Sequence, residues 1–101
     1  MKKRYEVIVS RRAERLLAGH VAFLARVSIP AARRLRAAFA EVLDALEDNP
    51  FQFPVEEDLD LPGNYRKALF AKRYQLIFCV KEDTVFVDAV LDCRMNNSRL
   101  F

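Results

Sequence analysis

Six cations in the C-terminal part of the chain hold most of its chemical potential: Arg66 and Lys67 in YRKALF, Lys72 and Arg73 before Tyr74, Arg94 after VLDC, and Arg99 near the end. Guanidinium and ammonium groups bind phosphate or carboxylate oxygens, and an arginine aimed at a scissile phosphate can stabilise charge as it develops. Cleaving RNA also needs one group that activates the 2′-hydroxyl and another that protonates the leaving oxygen. Two apolar runs and a shorter amphipathic one, punctuated by Lys72-Arg73 and Glu82-Asp83-Thr84, predict three consecutive antiparallel strands with the cations at their ends and turns. That placement suits a phosphate backbone or an acidic peptide, and offers no obvious apolar pocket for a metabolite. Alternation puts Arg66 and Phe70 on one face and Lys67, Leu69 and Ala71 on the other, so only one of Arg66 and Lys67 can face a groove. Taken singly, each is equally well an edge or turn cation that keeps a small sheet soluble.

Other chemistry is sparse. The single histidine, His20, follows Gly19 inside a helical pattern and reads as a helix-surface residue. Two glycines exclude a Gly-rich phosphate loop, and no nucleophile triad, HExxH or paired carboxylates can be picked out. Asp44, Glu47 and Asp48 read as a solvated helix end. Cys79 and Cys93 form no CxxC and have no second histidine nearby, which points to buried, reduced thiols rather than a disulfide or a metal site. No cofactor is implied. Asp88 interrupts the apolar run Val85 to Leu91, and a buried carboxylate needs a partner, so an arginine from a neighbouring strand is expected beside it.

The elements that must position these residues follow from periodicity. At 101 residues the chain suits one domain, 1–101, too small for a multistep metabolic enzyme. Its net charge of +3 is a moderate excess, concentrated from Tyr65 onward. Tyr5 to Val9 reads as a strand. From Arg11, apolar residues recur at helical spacing behind Ser10, a ready N-cap; Ser28-Ile29-Pro30 closes that helix and opens a second, which Asn49-Pro50 stops. Phe51 to Gly63, with an acidic run at Glu56-Glu57-Asp58, suits a returning loop. The fold class is α+β, ordered β-α-α-β-β-β, a helix hairpin on one face of a small, mainly antiparallel sheet whose other face is left open. No run approaches membrane-spanning length and MKKR precedes no signal-type apolar stretch, so a cytoplasmic protein is expected.

The order and spacing of these segments resemble the RelE/ParE superfamily of bacterial type II toxin–antitoxin modules. The resemblance lies in the opening YEVIVS and helix, the hairpin ending in Asn49-Pro50, Tyr65-Arg66-Lys67-Ala68-Leu69, Tyr74 to Val80, Asp83 to Val87, and Arg94. It implies a growth-inhibiting, plasmid-stabilising toxin that forms a hetero-oligomer with a cognate antitoxin, which wraps it with a helix and an extended segment. RelE-like members cut mRNA in the ribosome with cations and a C-terminal Tyr or His, whereas ParE-like members block DNA gyrase without chemistry. Arg66 and Arg94 match cations of the cleaving set, but Ala68 and Gln75 stand where nuclease members carry further cations, and Phe101 lacks a hydroxyl. The resemblance therefore implies a ParE-like toxin acting on gyrase. The alternatives are a RelE-like ribosome-dependent endoribonuclease, with Arg66 and Arg94 catalytic, and a non-toxic partner-binding module. In the binding readings, Arg66, Lys67, Lys72, Arg73, Arg94 and Arg99 meet the target or the antitoxin.

Overall fold

The computed structural model describes residues 4–59, 61 and 63–94. Strand β1 (Glu6–Val9) leads through Ser10 into helix α1 (Arg11–Ala25), and a short turn joins it to α2 (Ile29–Asp48). After a 3-10 turn (Pro50–Gln52) come β2 (Tyr65–Phe70), β3 (Tyr74–Lys81) and β4 (Thr84–Asp92). The expected element order is the observed one.

Both helices start at serines. Ser10 Oγ accepts from Ala13 N at 3.0 Å and Ser28 Oγ from Ala31 N at 3.2 Å, each satisfying an amide that the first turn leaves without a partner. Pro30 sits in the first turn of α2, where its missing N–H costs nothing. Asn49 ends α2 in an extended conformation, and its side chain accepts from Phe51 N.

The sheet order is β1-β4-β3-β2, antiparallel except that β1 lies parallel to β4. Leu17, Leu35, Val42 and Leu46 of the hairpin pack against Phe70, Leu76, Phe78, Val85 and Val87 of the sheet. Full burial of a side chain of this size contributes about 1.5–3 kcal/mol, so this layer outweighs any polar contact in the molecule.

The opposite face is not left open as expected. Ile77, Ala89 and Leu91 are buried there with Leu59, Leu61 and Tyr65 packed against them. The loop before β2 is held down by the edge of the sheet. Glu56 N donates to Tyr65 O at 2.9 Å, and Lys67 N to Pro54 O at 3.0 Å, around a bridge between Val55 and Arg66. Glu56 shapes the loop further, since its Oε2 accepts from the amides of Asp58 and Leu59. A loop pinned in this way, with Leu59 and Leu61 packed inward, shields an edge strand and covers a face that strand alternation alone marks as half-exposed.

Asp88 is also differently placed. Ile77 opposes Ala89 while Phe78 opposes Val87, so Asp88 is the extra residue of a β-bulge. Its carboxylate accepts from the Tyr65 hydroxyl, not from an arginine, and its carbonyl accepts from Ser10 Oγ at 3.2 Å. A phenol suffices because the bulge leaves Asp88 half-buried rather than sealed in the core.

Candidate functional site

The predicted cations do not form one cluster. Arg66 is half-buried; its guanidinium donates to Phe53 O at 2.7 Å and lies 5.1 Å from the centre of the Phe51 ring. Lys67 sits 3.1 Å from Asp58 and 3.8 Å from Glu56, and the hydrogen bond to Asp58 holds its ammonium above the usual lysine range. These two fasten the loop to β2. Arg94 binds Asp92 through two guanidinium contacts, 2.9 and 3.2 Å, and its own amide, while Asp92 is buried. The pairing, with Arg94's hydrogen bond the leading cause, holds the Asp92 carboxyl below its ordinary value. Arg99 lies outside the described residues.

Arg66 and Arg94 are also far apart. Arg66 pairs with Phe78 and Asp92 with Tyr74, so four residues of β3, about 13 Å at roughly 3.3 Å per residue, separate their levels in the sheet. Ala68 faces the hairpin with no exposed surface, and Gln75 lies half-buried between Leu69 and Leu91. Neither position adds a polar group beside Arg66 or Arg94.

Lys72 and Arg73 behave otherwise. They occupy the β2–β3 turn, where Ala71 and Lys72 take φ of 50° and 69°, left-handed values that non-glycine residues adopt at a cost. The turn faces the hairpin across a cleft of about 520 Å³ floored by Leu24, Ala31, Leu35 and Ala38, with Arg34 of α2 completing the rim. Among the described residues, none forms an ion pair with Arg34, Lys72 or Arg73. A second cleft of about 510 Å³ lies between Gly19, His20 and Phe23 of α1 and Asp92 and Arg94 at the end of β4. Tyr74 lines both. Both are floored largely by carbon, so apolar pockets exist where the strand pattern suggested none.

His20 is not the free surface residue its place in the helix suggested. It is half-buried, its Nε2 lies 2.8 Å from Val90 O, and its ring centre lies 5.1 Å from that of Tyr74. Because a carbonyl only accepts, Nε2 carries the proton. Tyr74 is 3 % exposed; burial, then the nearby Asp92 charge, push its phenol up, against the pull of Arg94 and Arg73.

Charge is arranged end to end. Between Glu14 and Glu41 the chain has no acidic residue but contains Arg15, Arg26, Arg33, Arg34 and Arg36, and the hairpin tip exposes Phe23, Val27 and Ile29. That tip, the β2–β3 turn and Arg94 share one end of the molecule. At the other end Glu6, Glu47 and Asp83 gather with Arg4 around the start of β1, so acids outnumber cations there. The role of Arg34 went unread in the sequence, although the acid-free run around it was a legible signal. The basic surface is thus shared by hairpin and sheet.

Cys79 is buried as expected, but Cys93, just past the end of β4, is exposed. Among the described residues there is no cluster able to hold a metal ion, and no helix is long and apolar enough to cross a membrane.

Residues 7–97 match the family described as the ParE toxin of the type II toxin–antitoxin system parDE. The chain belongs to the ParE toxin family. Its fold agrees: a chain of the chromosomal ParDE toxin–antitoxin system of P. aeruginosa superposes with a TM-score of 0.73 at 14 % identity, covering 88 % of this chain and 96 % of that one. No curated protein matches the sequence. What this ParE-family chain presents is therefore an apolar-floored, cation-rimmed end suited to receiving anionic groups set among apolar ones, and a separate pair, Arg66 and Lys67, already engaged within the fold.

Proposed function

We propose that this chain is the toxin of a type II pair, neutralised by a cognate antitoxin, and that it arrests growth by occupying DNA gyrase rather than by cutting RNA. The observation that carries this reading is the separation of Arg66 from Arg94. The two cations that a cleaving mechanism would recruit stand about 13 Å apart in level along the sheet, each bound to an internal partner. A phosphate cannot be polarised by groups that do not converge on it. The basic end with its apolar clefts supports docking on a protein surface instead, and the same surface allows an antitoxin to neutralise by covering it.

The ribonuclease alternative draws on one arrangement, the placement of His20 beside Arg94 in the second cleft, where an imidazole could move a proton. The two are separated with purified protein. Addition to a gyrase supercoiling reaction lowers the rate of supercoiling, and the product of the neighbouring reading frame restores it. New mRNA ends on translating ribosomes, with supercoiling untouched, overturn the reading.

A further inference from the structure

We propose that the hairpin tip is a docking surface for an anionic lipid bilayer, with Phe23, Val27 and Ile29 entering the acyl boundary and the surrounding cations meeting the lipid phosphates. The proposal goes beyond the toxin reading above and does not depend on it. Phe23, in the last turn of α1, is 59 % exposed; Val27, between the helices, is 79 % exposed; Ile29, the first residue of α2, is 57 % exposed. Single exposed apolar residues are ordinary, but three large ones grouped at one turn mark a surface that gains by leaving water. Ala22, Ala25 and Pro30 beside them are exposed too, so the apex is carbon broken only by Arg26 and by Ser28, whose hydroxyl is occupied in capping α2.

Charge and depth select the occupant. Segments 15–40 and 61–81, which meet at this end, contain no acidic residue, and Asp92, the acid lining the clefts there, is already paired with Arg94. Among the described residues, none forms an ion pair with Arg26, Arg33, Arg34, Lys72 or Arg73. Acids outnumber cations at the opposite end, so an anionic surface attracts the tip and turns the chain tip-first. Arg33 and Arg34 follow Ile29 by about one helical turn, roughly 6–7.5 Å up the α2 axis at 1.5 Å per residue. Lys72 and Arg73 face Arg34 across the first cleft, at the same level. A tip set about 5–10 Å into the boundary of headgroups and acyl chains therefore holds these cations among phosphates with the apolar side chains below them. A nucleic-acid strand offers phosphates without an apolar layer, and the apex has a single ring, Phe23, on which a base could stack. A second copy would set like charge against like. Docking is peripheral, because among the described residues no helix is long and apolar enough to cross a membrane.

The test uses the full purified chain and vesicles of phosphatidylcholine, alone or mixed with phosphatidylglycerol. The chain has no tryptophan, so Phe23→Trp, at an exposed position, makes the tip its own fluorescent reporter. Sedimentation with vesicles rises with the phosphatidylglycerol fraction and falls with salt, and the tryptophan emission moves to the blue as the tip enters the acyl boundary. Val27→Ser with Ile29→Ser, both at exposed positions that leave the fold intact, weakens binding about tenfold or more. Arg33→Glu also weakens it about tenfold or more, whereas Lys81→Glu at the far end, an equal change in net charge, leaves it unchanged. No binding to the mixed vesicles at low salt overturns the proposal. So does binding that survives the double serine substitution with the tryptophan emission unmoved, which is adsorption by charge alone. A blue shift produced by a DNA duplex, by gyrase or by the product of the neighbouring reading frame, with vesicles inert, reassigns the tip to that partner. An oligomer dispersed by the double serine substitution, again with vesicles inert, reassigns it to a second copy.

Discussion

The Tyr65 hydroxyl donates to the Asp88 carboxylate across the covered face of the sheet, tying the first residue of β2 to the bulge of β4. The bulge is also held from behind, since Ser10, the cap of α1, donates to the Asp88 carbonyl. Strand, bulge and helix start are thereby locked to one another. Tyr65→Phe leaves the half-buried carboxylate without that donor and is expected to cost about 1–3 kcal/mol, read as a lower midpoint in urea unfolding.

The same contact has an alkaline signature. Its hydrogen bond to Asp88, then burial, raise the Tyr65 pKa above the ordinary 10.0. A raised folded-state value means that the stabilisation is fully present below pH 10 and is lost as pH climbs through the folded value. Stability of the wild-type chain should fall above pH 10 more steeply than that of Tyr65→Phe, in denaturant melts collected across that range.

Asp92 behaves in the opposite sense. Arg94 holds its carboxyl below the ordinary 3.8, so its contribution is present above that pH and disappears as pH falls through the lowered value. Asp92→Asn should flatten the loss of stability between pH 4 and pH 2. An unchanged acid limb in thermal melts would show that the pair contributes nothing.

Ala68 offers a test of whether a missing cation can be restored. It packs against the hairpin with 0 % exposure, so Ala68→Lys buries an ammonium among Phe70, Leu76 and Phe78. The expected result is a loss of several kcal/mol, on the order of 3 or more, and poor soluble yield rather than a gain of RNA cleavage. Differential scanning calorimetry on whatever folds gives the number.

How much of this was legible beforehand depended on the range of the interactions. Helix starts at Ser10 and Ser28, the stop at Asn49 and the three consecutive strands are set by neighbours within a few residues, and each was readable. Asp88 was readable as a polar intruder, but its partner depended on a one-residue shift in register that leaves no local trace. Lys67 looked like a free surface cation because Asp58 is brought to it only when the loop folds back on β2. The role of Arg34 was not readable, since nothing in α2 itself reveals that the β2–β3 turn lies opposite.

The turn supplies a further expectation. At φ of 50°, Ala71 is strained relative to glycine, which reaches the left-handed region without a Cβ clash. Ala71→Gly should stabilise the chain by roughly 0.5–1 kcal/mol. A thermal shift upward with antitoxin affinity reduced would fit a turn held stiff in order to aim Lys72 and Arg73.

The central claim, arrest by binding rather than by cleavage, is tested most directly by inducing this chain alone in a bacterial host and pulsing with labelled amino acid and labelled thymidine within minutes. The account predicts an early fall in thymidine incorporation while amino-acid incorporation continues. An early fall in amino-acid incorporation, ahead of thymidine, would contradict it.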